Sequence, residues 1–164
     1  MSFVTRPTGI EELEQGDPTE VAVENALLKA RAARIKGAQE MVLGVDTLVT
    51  LADRIYGKPS DESAARETLR ALAGATHTVV SGLALISDDR ELVASAHTKV
   101  RFRELSEELI NWYLAKSEWR GRAGGYAIQG AGATLVLEIH GDYENVVGLP
   151  LATLLHMCPE LLWA

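Results

Sequence analysis

Between His77 and Phe102 the chain reads as a strand, a turn and a returning strand. Val79-Val80 and Leu83-Ala84-Leu85-Ile86 form one apolar arm, Asp88-Asp89-Arg90 is a polar turn, and Leu92 to Phe102 leads back. Two such runs joined by a short polar turn predict a hairpin. A hairpin of this length commits the chain to a β-sheet, and the remaining segments have to pack around it.

Helical and strand-like segments alternate on both sides of this hairpin. Asp17-Pro18-Thr19-Glu20 reads as a helix start, with Asp17 as cap, Pro18 at the first helical position and Glu20 completing a capping box. That helix is expected to run through Ala22, Ala26, Ala30 and Ala33 and to stop near Gly37, with Lys29, Arg31, Arg34 and Lys36 placed where the helix dipole favours cations. Residues 41–51 are apolar and β-branched, as a buried strand requires. Asp53-Arg54 is expected to turn and Ile55-Tyr56 to return as a short hairpin arm. Ser60 is the expected cap of a second helix, with Ala64, Ala65, Leu69 and Leu72 as its buried stripe and Gly74 at its end. Ser106-Glu107-Glu108 opens a third helix, Leu135 to Ile139 is a further strand, and Leu149-Pro150-Leu151 enters a last helix that ends by Pro159. The predicted class is α/β or α+β, with a mixed sheet. The whole span 1–164 reads as a single domain, with no tandem repeats or linkers.

The bulk properties exclude several function classes. With 47% apolar residues the chain can close a core, yet no apolar run is long enough to span a bilayer. Net charge is −7 and no basic cluster stands out, which argues against binding a nucleic-acid polymer. One or two local cations can still serve a small phosphorylated ligand. Cys158 is the only cysteine, so an internal disulfide is excluded and a reducing compartment fits. Met1 to Pro7 lacks the layout of a secretory signal, and a cytoplasmic location is expected.

Three segments could carry chemistry. Met41-Val42-Leu43 runs into Gly44-Val45-Asp46-Thr47, which places a carboxylate in an otherwise apolar strand. Burying a charge without a partner is costly. Asp46 therefore reads equally as a metal ligand or general base and as a carboxylate paired with an arginine or capping a loop. Lys58, between Gly57 and Pro59, fits a phosphate-holding lysine, and taken alone fits an exposed turn lysine better. Residues 121–132 hold five of the 14 glycines, in a spacing that is neither a Walker loop nor a dinucleotide fingerprint. Within them Gln129 could offer a donor and an acceptor to a base edge, or belong to a mobile connection. Gly141 to Pro150 reads as a polar turn ahead of a helix, mainly architectural, with Asp142 or Asn145 bonding nearby backbone. The four histidines, 77, 97, 140 and 156, show no zinc spacing. No serine sits in a nucleophile elbow.

Taken in order, these segments resemble the Maf family of nucleoside triphosphate pyrophosphatases, also called septum formation inhibitor Maf. The resemblance rests on Gly44-Val45-Asp46-Thr47, Gly57-Lys58-Pro59, Leu72 to His77, Ala123 to Gly130, Gly141-Asp142-Tyr143 and Asn145 to Pro150. It implies hydrolysis of a nucleoside triphosphate to monophosphate and pyrophosphate. It also implies a divalent cation, Mg2+ or Mn2+, and a cleft between two lobes on a twisted mixed sheet with flanking helices, the fold shared with inosine triphosphatases. By position Asp46 matches the proton acceptor, Lys58 a lysine near the phosphates and Lys29 a helix lysine of the site. Glu12 matches an acidic residue facing the cleft, with Glu11 as the alternative, and Asp46 and Glu12 are the implied metal pair. Thr47 and Gln129 match positions that set base choice and resemble the subgroup acting on dTTP and UTP, with modified pyrimidine nucleotides also in range. A homodimer is compatible with the family.

One departure is expected to matter. Family members begin with a strand and a loop of the form Leu-Ala-Ser-x-Ser-Pro-Arg-Arg, followed by a helix, and the given sequence starts about where the second strand would, at Phe3-Val4. The first strand and helix are thus missing from it, together with arginines for the phosphates. This motivates the alternative of a catalytically impaired or non-catalytic relative that binds a nucleotide or a protein.

Overall fold

The computed structural model describes residues 3–36, 38, 40–52 and 54–163. Helix α1 spans Pro18–Ala33. Strand β1 covers Val42–Leu51 and β2 Arg54–Tyr56. Helix α2 covers Glu62–Leu72, and the long hairpin is β3, Thr76–Ile86, with β4, Glu91–Phe102. Helix α3 is Glu107–Leu114, and β5 is Val136–His140. The short helices α4, Tyr143–Val147, and α5, Leu151–Met157, follow.

The strands form one sheet in the order β2-β1-β3-β4-β5. The expected α+β class is observed, but every strand pairing among the described residues is antiparallel, so the sheet is not mixed. Tight turns join β1 to β2 and β3 to β4, and such turns produce antiparallel neighbours. The predicted hairpin runs in unbroken register from Thr76↔Arg101 to Ile86↔Glu91, closed by Ser87 N–H donating to Arg90 O at 2.9 Å. Ile55 and Tyr56 do return against β1, with Val49 opposite Tyr56. The predicted turn residue Asp53 lies outside the described residues.

Helix α1 covers one face of the sheet through its smallest residues. Ala22, Ala26 and Ala30 are fully buried. Opposite them stand Gly44 on β1 and Gly82 on β3, diagonal to one another, Gly44 being paired with Ala84 and Gly82 with Asp46. A Cβ on Gly44 would lie 2.1 Å from Ala26 O, and one on Gly82 would lie 2.2 Å from Ala22 O. Backbone therefore meets backbone along this seam, which only glycine permits. The other face carries the larger core, including Leu69 and Leu72 of α2, Ile110 and Tyr113 of α3, Phe102 and Trp119.

Several local expectations shift. Asp17 caps α1 by accepting from Thr19 N and Glu20 N, but the described residues show no return bond from Glu20 to complete the box. The helix ends at Ala33, and its expected stop, Gly37, lies outside the described residues. Arg34 at the helix end pairs with Asp88, and Arg31 with Glu91 at 2.9 Å, so these cations tie α1 to the hairpin turn. Lys29 faces inward rather than serving the dipole. Asp61, not Ser60, caps α2; it accepts from Ala64 N at 2.8 Å, while the Ser60 hydroxyl donates to Asp61. Ser106 caps α3 as expected.

Residues 141–150 hold the short helix α4 rather than a turn alone. Asp142 caps it, as nearby bonding predicts, but Asn145 reaches across the fold, donating to Val79 O at 3.1 Å and Thr98 Oγ1 at 3.0 Å. Phe3-Val4 is not a strand, and both side chains are exposed. The segment instead runs along α1. Arg6 donates to Ala33 O at 3.1 Å, and Leu13 exchanges hydrogen bonds with the side-chain amide of Asn25. That amide offers one donor and one acceptor, as a neighbouring strand would.

Candidate active site

The site is built where β1 passes beneath α1. Asp46 alternates with Gly44 and Leu48 on the face toward α1 and is only 4% exposed. Asn25 and Lys29 lie four residues apart on α1, hence on one helix face. The glycine–alanine seam brings that face close enough for both to reach the carboxylate. Lys29 Nζ donates to Asp46 Oδ1 at 2.5 Å, and Asn25 Nδ2 donates to Asp46 Oδ2 at 3.0 Å. The paired-carboxylate reading of Asp46 thus holds, with a lysine in place of an arginine, and the carboxylate faces a cavity.

The charges continue outward as a chain. Glu12 Oε1 lies 2.8 Å from Lys29 Nζ, and Glu12 Oε2 lies 3.0 Å from Lys58 Nζ. Glu12, rather than Glu11, is the acid that meets the lysines. Burial works to raise the Glu12 pKa, but hydrogen bonds from Lys29 and Lys58 outweigh it and hold the carboxyl below its usual range. Burial likewise works against the charge on Lys29, and its bonds to Asp46 and Glu12 more than restore it, so the pKa is raised. The two acids and two lysines alternate along this chain, each acid meeting a lysine.

Thr47, the next residue, points to the opposite face of β1. Its hydroxyl lies 2.8 Å from that of Ser81, its partner in the β1–β3 register. Asp46 and Thr47 nevertheless line one cavity of about 600 Å³, together with Lys29, Lys58, Tyr126 and Gln129. The sheet edge explains this. Strand β2 covers β1 only from Val49 to Leu51, so among the described residues the edge beside Asp46 and Thr47 has no strand partner. The cavity wraps that edge and reaches both faces.

The far wall is the glycine-rich segment. It is not a mobile hairpin connection but two tight turns, Ala123–Gly125 and Ala131–Leu135, fixed at several points. Gly124 N donates to Gly57 O at 3.1 Å, which ties this wall to the loop bearing Lys58. Ala127 N donates to the Tyr113 hydroxyl at 3.1 Å, and Ala131 N to Glu118 Oε2 at 2.7 Å. The Tyr126 hydroxyl lies 3.0 Å from Nε2 of the buried His77. Gln129 itself is exposed, and its amide makes no hydrogen bond to protein among the described residues.

Among the described residues no group of three His, Cys, Asp or Glu side chains stands together. Asp46 and Glu12 are the two carboxylates that meet Lys29, and its ammonium, a cationic group, already lies between them. Two carboxylates with remaining positions left to water and phosphate oxygens suit a Mg2+-type ion. The donor set fits such an ion.

A family model described as Maf-like protein matches residues 1–161. The chain belongs to the Maf family. Several relatives bear the name dTTP/UTP pyrophosphatase. That of Pyrococcus furiosus is 45% identical over 157 residues, covering 94% of this chain and 83% of the relative. That of Symbiobacterium thermophilum is 45% identical over 143 residues, covering 87% and 74%. One from Bacillus cereus is 44% identical over 137 residues, covering 84% and 72%.

In this Maf chain the residues singled out from sequence do gather. Asp46, Lys29, Glu12 and Lys58 form the charged chain, and Thr47 and Gln129 share the cavity lined by Asp46, Lys29 and Lys58. Asn25, Ser81, Glu118 and the cavity-lining Arg120 and Arg122 were not anticipated as site residues. Only Asn25 left a signal: a polar residue in an alanine stripe, one helical turn before Lys29.

Proposed function

We propose that this chain hydrolyses dTTP and UTP to the monophosphate and pyrophosphate. The observation that carries the reading is that Asp46, Lys29 and Lys58 converge with Thr47 and Gln129 on one cavity. Water adds to the α-phosphorus, its proton passes to Asp46, and the bond to the bridging oxygen breaks to release pyrophosphate. Both Asp46 oxygens already accept a hydrogen bond, yet each keeps a second lone pair for the water. Lys58 and Lys29 are placed to hold the negative oxygens of the leaving group. Thr47 and Gln129 face the base; a single amide pairs with the adjacent carbonyl and N–H of uracil or thymine. A divalent ion, Mg2+ or Mn2+, held by Asp46 and Glu12 would supply further neutralisation of phosphate charge. A cytoplasmic setting, reducing and rich in nucleoside triphosphates, fits the lone Cys158.

The test is pyrophosphate release by the purified chain with Mg2+ or Mn2+, comparing dTTP, UTP and 7-methyl-GTP. We expect release from the two pyrimidine nucleotides, and a drop of about 10²–10⁴-fold in Asp46→Asn, the range for losing a positioned base. No release from any of them, or release indifferent to Asp46→Asn, would sink the proposal.

A further inference from the structure

We infer that Glu118 is a positioning residue for base selection, acting through Gln129. This rests on the reading of Gln129 as the residue that meets the base. Gln129 lies between two anchored amides, Ala127 N on the Tyr113 hydroxyl and Ala131 N on Glu118 Oε2 at 2.7 Å. The Glu118 anchor is the closer in sequence to the residue following Gln129. A Cβ on Gly130 would stand 2.3 Å from Glu118 Oε2 and 2.8 Å from its carboxyl carbon. The carboxylate is thus packed flat against the backbone that carries Gln129, and glycine at 130 is what allows the approach. Glu118 also lines the same cavity.

The chain around Glu118 is shaped for this contact. Ser117 sits at φ 58, a left-handed conformation unusual for a residue with a side chain. Trp119, which follows, is 1% exposed and locks the other side. A strained residue before and a buried anchor after leave Glu118 little freedom except toward Gly130 and Ala131. The chemistry explains why that matters. An amide turned one way pairs with the carbonyl and N–H of uracil; turned over, it pairs with the amino group and ring nitrogen of cytosine. Which way the amide is turned is a rotation within the side chain; the backbone sets how closely and at what angle the amide meets the base edge, and a matched and a mismatched base differ in energy only at hydrogen-bonding distance. A hydrogen bond to a carboxylate, stronger than one to a neutral acceptor, holds that placement.

The experiment measures kcat and KM for UTP and CTP in the wild type, Glu118→Ala, Glu118→Gln, Gln129→Ala, Gly130→Ala and the double variant Glu118→Ala/Gln129→Ala. In Glu118→Ala the UTP-over-CTP ratio of kcat/KM is expected to fall about 10-fold, with the loss on UTP lying in KM more than in kcat. Glu118→Gln, which keeps an acceptor oxygen for Ala131 N, should recover most of the ratio. Gly130→Ala, whose methyl group displaces the carboxylate, should lose it. The double variant should be no less selective than Gln129→Ala alone, because both changes act on one contact. An unchanged ratio in Glu118→Ala, an equal loss of kcat on both nucleotides, or full additivity in the double variant overturns the assignment. If Glu118→Ala does not fold, an unchanged ratio in Gly130→Ala overturns it. Should Gln129→Ala leave selectivity untouched, the base reading itself fails; should it lower selectivity while Glu118→Ala does not, only the role of Glu118 falls.

Discussion

His77 is a polar residue in an apolar setting. It is 1% exposed, stacked edge-on against Phe102 and Tyr126, and its Nδ1 has no hydrogen-bond partner among the described residues. Burial lowers its pKa from 6.5 to about 4. The unfolded chain therefore binds a proton near pH 6.5 that the folded chain refuses until about pH 4. Stability falls as pH drops through that window, and the full effect is about 3 kcal/mol. Urea titrations at pH 7.5 and pH 4.5 should show this loss in the wild type and a smaller one in His77→Gln. Equal losses in both would place the pH dependence elsewhere. Carboxylates such as Glu12, with lowered pKa, add their own loss on the acid side of about pH 4.5. The wild-type-minus-variant difference isolates the histidine.

At the scale of elements, the decisive contact is α1 on β1 and β3 through alanine and glycine. Gly44→Ala would drive a methyl group into Ala26 O. Overpacking of this kind costs about 1–3 kcal/mol. It should also lift Asn25 and Lys29 from Asp46, so kcat should fall by on the order of 10²-fold, the scale expected for a misplacement near 1 Å. Thermal unfolding and turnover of the variant check both halves; a stable but inactive protein would mean the seam serves geometry alone. The alanine stripe was legible in the sequence, because its spacing of four marks a helix face. Its partners were not, since Gly44 and Gly82 come from separate segments and nothing local says that they face one helix. Likewise the hairpin was legible from residue pattern, whereas the all-antiparallel sheet depends on which strands pair. The cap of α2 was misplaced by one residue because Ser60 and Asp61 are both good caps, and only tertiary geometry chose the second.

On the scale of the whole molecule, α1 and the larger core pack on opposite faces of the same strands. Strand β3 is buried along almost its full length and serves both. Neither layer can leave without exposing it. Calorimetry should therefore record one unfolding transition for residues 1–164, with equal calorimetric and van't Hoff enthalpies; two resolved peaks would mean two independently folding units. The charged residues of the site were readable one by one from their neighbours in sequence. Their linkage was not, because Glu12, Lys29, Asp46 and Lys58 come from four segments that only the fold unites.

Asp46 and Thr47 are adjacent in sequence and point to opposite faces of β1. On the proposed reading, the nucleotide straddles the strand edge, with phosphates on one side and base on the other. The division of labour is then written in the parity of a strand. An insertion or deletion of a single residue upstream in β1 would send the hydroxyl to the phosphates and the acid to the base. Every chemical group would survive such a lesion, and the enzyme would not.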